Sequence, residues 1–215
     1  MKPYRRKFRY RNKPVAEAYF SKRFSNPKGK RENDATRAAL ARAIEGIGEI
    51  KKILDLACGT GRFSDLFWQK GFLYFGADIS MEMMGVLVRD QSSRGTMPPL
   101  VQCDAEELPF KDNALDCVLC VRFLNEHIPV RVREKVLKEI RRVSRGWLVV
   151  QSHRVKPMDP FIFLKAFVRK LFGADISKYW MRREILNAGW NERRWVRINR
   201  RLYLGVYQKT SETPH

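Results

Sequence analysis

Long apolar runs are missing from this chain of 215 residues. None approaches the ~20 residues that a membrane-spanning helix requires, so no transmembrane segment is expected. Internal repeats and long low-complexity stretches are missing too, which leaves one globular domain with a sizeable core as the default. Cysteine is scarce. Cys58, Cys103, Cys117 and Cys120 all fall on expected strand ends or interiors. The spacing Cys117-x-x-Cys120 suggests a metal or redox pair, but strand side chains alternate faces. Residues three apart therefore point to opposite sides and cannot chelate one ion. Small buried hydrophobes are the reading taken, and no metal site is expected. The N-terminal stretch Met1 to Tyr10 is basic but has no apolar segment behind it. A secretory signal is thus not expected, and a cytoplasmic setting is the simplest one.

Acidic residues are few beside 43 Lys and Arg, giving a formal net charge of +20. The imbalance is local. Residues 1–31 hold twelve cations and a single acid, Glu17, and residues 161–201 hold eleven cations against three acids. Such flanks favour an anionic partner: nucleic acid, an anionic lipid surface or a phosphorylated substrate. Tyr4, Phe8 and Tyr10 interleave with the N-terminal cations, a pattern suited to base stacking and phosphate contact. No recognisable RNA-binding module accompanies them.

What is present is an alternation of apolar strands and amphipathic helices, which implies a parallel sheet. Strands are expected at 51–56, 72–77, 99–103, 115–121 and 146–151, with helices at 61–70, 80–90 and 130–143. A helix from Tyr179 to Ala188 ends at Gly189, and strands from Asn191 to Ile198 and Leu202 to Gln208 close the chain as an antiparallel hairpin. Upstream, Val15 to Phe24 reads as a helix, Asn26-Pro27-Lys28-Gly29 as a turn, and Asp34 as the cap of a helix ending near Glu45. Asp159-Pro160 and Gly173 bracket a further helix, whose apolar residues include Phe161, Phe163, Leu164 and Phe167. It reads as a lid, an interfacial helix or a dimer contact.

The most informative stretch is Ile53 to Ser64, in which an apolar run ends in Asp55 and the turn Cys58-Gly59-Thr60-Gly61. Glycine lets the backbone turn sharply and leaves room for a ligand against the chain. The next strand ends in Asp78, where a Rossmann-like fold places a carboxylate on a ribose. Asp104-Ala105 follows the third strand and Val121-Arg122 the fourth. The third glycine of a dinucleotide fingerprint is missing, because Ser64 stands there.

In this order the motifs resemble the class I S-adenosylmethionine-dependent methyltransferases, of the small-molecule type that includes the ubiquinone and menaquinone C-methyltransferases. The resemblance covers roughly Ile50 to Lys209. It implies a Rossmann-like α/β fold with a seven-stranded, mostly parallel sheet flanked by helices and a C-terminal antiparallel hairpin. Residues 1–45 would be a basic arm with helices, and 46–209 the methyltransferase domain, with a substrate-side lid insertion at 155–176.

The implied cofactor is S-adenosyl-L-methionine, with S-adenosyl-L-homocysteine as product. Ala57, Cys58, Gly59, Thr60 and Gly61 would run beside its methionine and ribose, and Asp55 would receive the ammonium. Asp78 would accept both ribose hydroxyls, Ile79 and Met83 would sandwich the adenine, and Asp104 and the Ala105 amide would bond its edge. Val121 would face the methyl end.

His153, His127 and Arg122 are the candidate catalytic residues: the histidines as a general base, Arg122 as a hold on an anionic acceptor or a partner of Glu126. Tyr19 and Phe20 would cover the cofactor, with Arg23, Lys28 and Arg31 at the mouth. The expected acceptor is small or lipophilic and anionic. RNA methylation and a non-catalytic cofactor-sensing role are the alternatives.

Overall fold

The computed structural model describes residues 8, 10–92, 98–124, 128–153 and 181–211. His127, Glu126 and the whole expected lid insertion at 155–176 lie outside the described residues, as do residues 1–7 and 9.

Three helices precede the sheet: α1 (Lys13–Glu17), α2 (Tyr19–Phe24) and α3 (Pro27–Ile44). The expected helix from Val15 to Phe24 is in fact two, broken at Ala18. Helix α3 begins seven residues before Asp34. Asn26 caps it, its side chain accepting from the Gly29 amide at 2.9 Å, and Pro27 occupies the first turn. The same Asn-Pro-x-Gly letters serve a turn or a helix start, because proline has the φ of both. Gly29 decides between them. A Cβ there would lie 2.0 Å from the Arg23 carbonyl oxygen, so only glycine lets α2 end this close to α3. Gly29→Ala should destabilise the protein by about 1–3 kcal/mol through overpacking, while Gly48→Ala, which meets nothing within 4 Å, should stay within about 0.5 kcal/mol. Urea unfolding of both variants checks this.

The sheet contains β1 (Lys52–Leu56), β2 (Leu73–Asp78), β3 (Leu100–Gln102), β4 (Leu115–Cys120), β5 (Ser144–His153), β6 (Trp190–Arg197) and β7 (Leu202–Lys209). Helices α4 (Ser64–Gln69), α5 (Met81–Ser92), α6 (Val130–Val143) and α7 (Met181–Asn187) connect them. Strand order is β3-β2-β1-β4-β5-β7-β6. The first five strands pair in parallel, and β7 runs antiparallel to both β5 and β6. The parallel strands follow the alternation, and the Rossmann-like arrangement with a terminal hairpin is the one the resemblance implies.

Two apolar layers sandwich the sheet. Leu54, Leu56, Val118, Cys120, Leu148 and Val150 face α6 and α7 on one side. Ile53, Cys117, Leu119, Val149, Leu204 and Val206 face α3 and α4 on the other. Cys117 and Cys120 thus sit on opposite faces, as strand alternation requires. Helix α6 buries Val132, Val136, Leu137, Ile140 and Val143 on one stripe. Helix α3 buries Ala39, Leu40, Ala43 and Ile44 in the same core as the strands.

Among the described residues one charged side chain is wholly shielded from solvent. Arg133 of α6 is clamped by Glu184 of α7 through two bonds of 2.6 and 2.7 Å, and it also donates to the Ile128 carbonyl.

Candidate functional site

Parallel pairing brings the carboxyl ends of β1, β2 and β4 to one edge. Leu56 lies opposite Ala77, and Asp55 opposite Leu119, so the chain leaves β1 beside the ends of both neighbours. It then turns through three left-handed residues, Ala57, Gly59 and Gly61, with φ of 61°, 56° and 66°. Ala57 and Arg122 (φ 64°) hold this conformation without being glycine. Backbones of that kind are sparsely populated and cluster at functional sites.

A recess forms over this turn, enclosing about 1180 Å³ when its open mouth is included. Of the residues expected to hold a cofactor, Asp55, Ala57, Cys58, Gly59, Thr60, Asp78, Ile79, Met83, Asp104, Ala105 and Val121 all line it. Gly61 does not. A Cβ at Gly61 would lie 2.1 Å from Leu87 Cδ1, so this glycine serves the packing of the turn against α5.

The floor is acidic. Asp55 is buried, and Tyr74, also buried, donates its hydroxyl to Asp55 Oδ2 at 3.0 Å. Burial pushes the Asp55 carboxyl up to about 7, against the smaller opposing effect of the Tyr74 bond. Asp78 accepts from the Gly59 amide at 2.8 Å and the Ser80 amide at 2.9 Å. Burial still raises its pKa, with these amides pulling the other way. Two oxygens offer about four acceptor sites, so Asp78 can accept further donors. Ser80 Oγ caps α5 by accepting from the Met83 amide at 3.1 Å.

The roof comes from the N-terminal segment. Tyr10 lines the recess: its carbonyl accepts from Ser80 Oγ at 2.6 Å, and its ring meets Tyr19 edge-on at 5.6 Å. Tyr10, read in the sequence as part of a stacking arm, is therefore turned onto the site. Tyr19 and Arg23 also line the recess, whereas Phe20 is exposed and packs on Phe24.

Arg62 was not anticipated. Its guanidinium lies 3.8 Å from the Phe24 ring centroid and donates twice to Asn33 Oδ1, and burial lowers its pKa to about 10. Nothing in the sequence distinguishes it from a surface arginine. The aromatic partner is 38 residues upstream and the amide 29.

Arg122 pairs with Glu32 of α3, at 2.7 Å, a partner the sequence did not suggest; the expected partner Glu126 lies outside the described residues. The long reach through α3 was invisible because the helix start was placed too late. His153, at the end of β5, does not line this recess. It lines a neighbouring one with Lys28 and Arg122, and Arg31 lines neither.

This strand order, with an acidic recess over a left-handed glycine turn, is similar to that of the class I S-adenosylmethionine-dependent methyltransferases. Residues 53–146 match the family model described as a methyltransferase domain. The chain is similar to the ubiquinone/menaquinone biosynthesis C-methyltransferase of Nitrosospira multiformis, with 31% identity over 144 residues, 63% of this chain and 57% of that protein. It is 31% identical over 111 residues to the malonyl-acyl-carrier-protein O-methyltransferase of Hamiltonella defensa, 51% of this chain and 40% of that one. The chain spans about half the length of the curated relatives it matches.

Among solved structures, a SAM-dependent methyltransferase from Aquifex aeolicus superposes with a TM-score of 0.65 at 16% identity, covering 93% of this chain and 99% of that one. The magnesium protoporphyrin IX methyltransferase of Synechocystis, with bound S-adenosylhomocysteine, gives 0.63 at 17%, covering 92% and 99%. At these identities the likeness shows the fold.

Among the described residues no helix is long and apolar enough to cross a membrane.

Proposed function

We propose that this protein transfers a methyl group from S-adenosylmethionine to a small or lipophilic anionic acceptor by in-line displacement. One observation carries the reading: two carboxylates, the buried Asp55 and the half-buried Asp78, flank the left-handed Gly59 turn inside a single recess. Three features of that recess fit such a cofactor. A Cβ at Gly59 would stand in the recess 3.1 Å from Met83 Cε, where a ligand would lie against the chain. Thr60 Oγ1 is buried and makes no hydrogen bond among the described residues, so a polar ligand atom would satisfy it. The acidic floor suits an ammonium and a diol.

Asp55 would hold the ammonium and Asp78 the ribose hydroxyls. Ile79 and Met83 would pack the adenine, with Asp104 and the Ala105 amide on its polar edge. When bound, the sulfonium supplies an activated methyl, so alignment and exclusion of water provide most of the rate. The walls that align and exclude are Val121, Arg122 and the tyrosine roof. His153 would remove the acceptor's proton where the acceptor is a weak nucleophile. The setting would be cytoplasmic, which the four free cysteines fit.

Asp78→Ala should weaken S-adenosylhomocysteine binding by about 1.5–3 kcal/mol, the range for hydrogen bonds to a charged group. Calorimetry checks it, and unchanged affinity would remove Asp78 from the site. Transfer of labelled methyl into a cell extract, fractionated into small molecules, lipid, RNA and protein, tests the acceptor class. RNA methylation is the competing reading, drawn from the basic flanks, and label confined to RNA would select it.

A further inference from the structure

Beside the first recess, and sharing a wall with it, lies a second one lined by Lys28, Glu32, Arg122, His153, Arg200 and Arg201 among others. Its residues come from four separate places. Lys28 and Glu32 stand four apart on α3 and so share a helix face. His153 is the last residue of β5 and lies opposite Leu202, which puts the β6–β7 turn alongside it. That turn is held in shape: Asn199 Oδ1 accepts from the Arg201 amide at 2.8 Å and the Leu202 amide at 3.0 Å. Arg122 is the shared wall and lines both recesses.

The charge is one-sided. Among the described residues four cations, Lys28, Arg122, Arg200 and Arg201, face a single acid, and that acid, Glu32, is engaged with Arg122 at 2.7 Å. A convex basic surface would spread its field into solvent. A concavity with protein walls concentrates it, so the site attracts anions far more strongly than the same charges on an open face. Guanidinium forks also match the planar oxygens of carboxylate and phosphate. The left-handed backbone at Arg122 keeps its side chain at the partition between the two recesses.

We propose that this second recess binds an oxyanion, a carboxylate or a phosphate, carried by the methyl acceptor. Arg122 then sets that anion against the wall of the cofactor recess, which places the rest of the acceptor beside the transferable methyl. His153 lies within the same recess, where a proton leaving the acceptor would be received. This rests on the first recess being the cofactor site.

The test uses the full chain and two probes, inorganic pyrophosphate and succinate, titrated by calorimetry, with S-adenosylhomocysteine titrated separately. At least one probe should bind one-to-one. Arg200→Glu/Arg201→Glu should weaken it by about tenfold or more, with S-adenosylhomocysteine affinity unchanged within about twofold. Arg200→Gln/Arg201→Gln should give a smaller loss in the same direction. Lys51→Glu/Lys111→Glu makes the same charge change at the opposite edge of the sheet and should leave probe binding within about twofold.

Tighter pyrophosphate assigns a phosphate-bearing acceptor, and tighter succinate a carboxylate. An equal loss in the Lys51/Lys111 variant, no loss in the turn variants, or no binding of either probe overturns the proposal. Retained probe binding with no S-adenosylhomocysteine binding would instead overturn the cofactor reading.

Discussion

Glu184→Ala should destabilise the protein by about 3–5 kcal/mol, because it leaves the fully buried Arg133 guanidinium without its only carboxylate among the described residues. Urea unfolding, with the slope m checked for constancy, measures the change. The double variant Arg133→Met/Glu184→Leu should recover most of it, since removing both charges removes the desolvation penalty along with the pair. Recovery should be incomplete. Arg133 also donates to the Ile128 carbonyl, and a buried acceptor left unpaired costs about 1–3 kcal/mol. A single variant that unfolds like the parent would mean that Arg133 finds water or another acceptor.

Asp55→Asn should stabilise the free protein above neutral pH and weaken S-adenosylhomocysteine binding by an order of magnitude or more, about 1.5–3 kcal/mol for a lost charged contact. The sign follows from linkage. The Asp55 carboxyl ionises near 3.8 in the unfolded chain and near 7 in the fold, so between these values the folded state holds the extra proton. Stability from this group is present below about pH 4 and is lost as pH rises through 7. Asparagine keeps an oxygen for the Tyr74 hydroxyl and removes that dependence.

A bound ammonium reverses the preference by favouring the carboxylate. Binding should therefore release a proton, and affinity should rise with pH between about 5.5 and 7.5 by up to tenfold per unit. Calorimetry in two buffers of different ionisation enthalpy counts the protons. A pH-independent affinity in the parent would exclude Asp55 as the ammonium's partner, and a slope that survives in Asp55→Asn would transfer the effect to Asp78, whose carboxyl is also raised.

The parts of the site legible in the sequence are those made of neighbouring letters. Asp55, the Gly59 turn, Asp78 and Asp104-Ala105 each sit at the end of an apolar run, and parallel strand order alone brings them to one edge. Helix α6 was legible to the residue, because its apolar stripe is regular and proline marks its start.

What stayed hidden depends on long-range registry. Arg122 meets Glu32 across 90 residues, and Arg62, in the turn before α4, lies over the Phe24 ring of α2. The second recess exists only because β7 pairs with β5 so that Leu202 faces His153. Tyr10 looked like part of an extended basic arm, and only the short bond from Ser80 shows that it returns to the sheet. The break at Ala18 and the early start of α3 were missed together, since both turn on the close approach at Gly29 that no local propensity records.

The site is built from two materials of unequal strength. Its floor belongs to the central strands, whose hydrogen bonds open only when the whole domain unfolds. Its roof is fastened by a few local contacts: the Tyr10 carbonyl on Ser80, an exposed Glu17–Arg89 pair at 3.4 Å, and arginines lying on rings. Such fastenings open at small free energies, independently of global unfolding. Equilibrium affinity and exchange rate are therefore set by different residues. On the proposed reading, Asp55 and Asp78 would govern how tightly a ligand is held, and the tyrosine-bearing segment how often it can leave, so that product would be released on every cycle without disturbing the strand ends that bind the next cofactor.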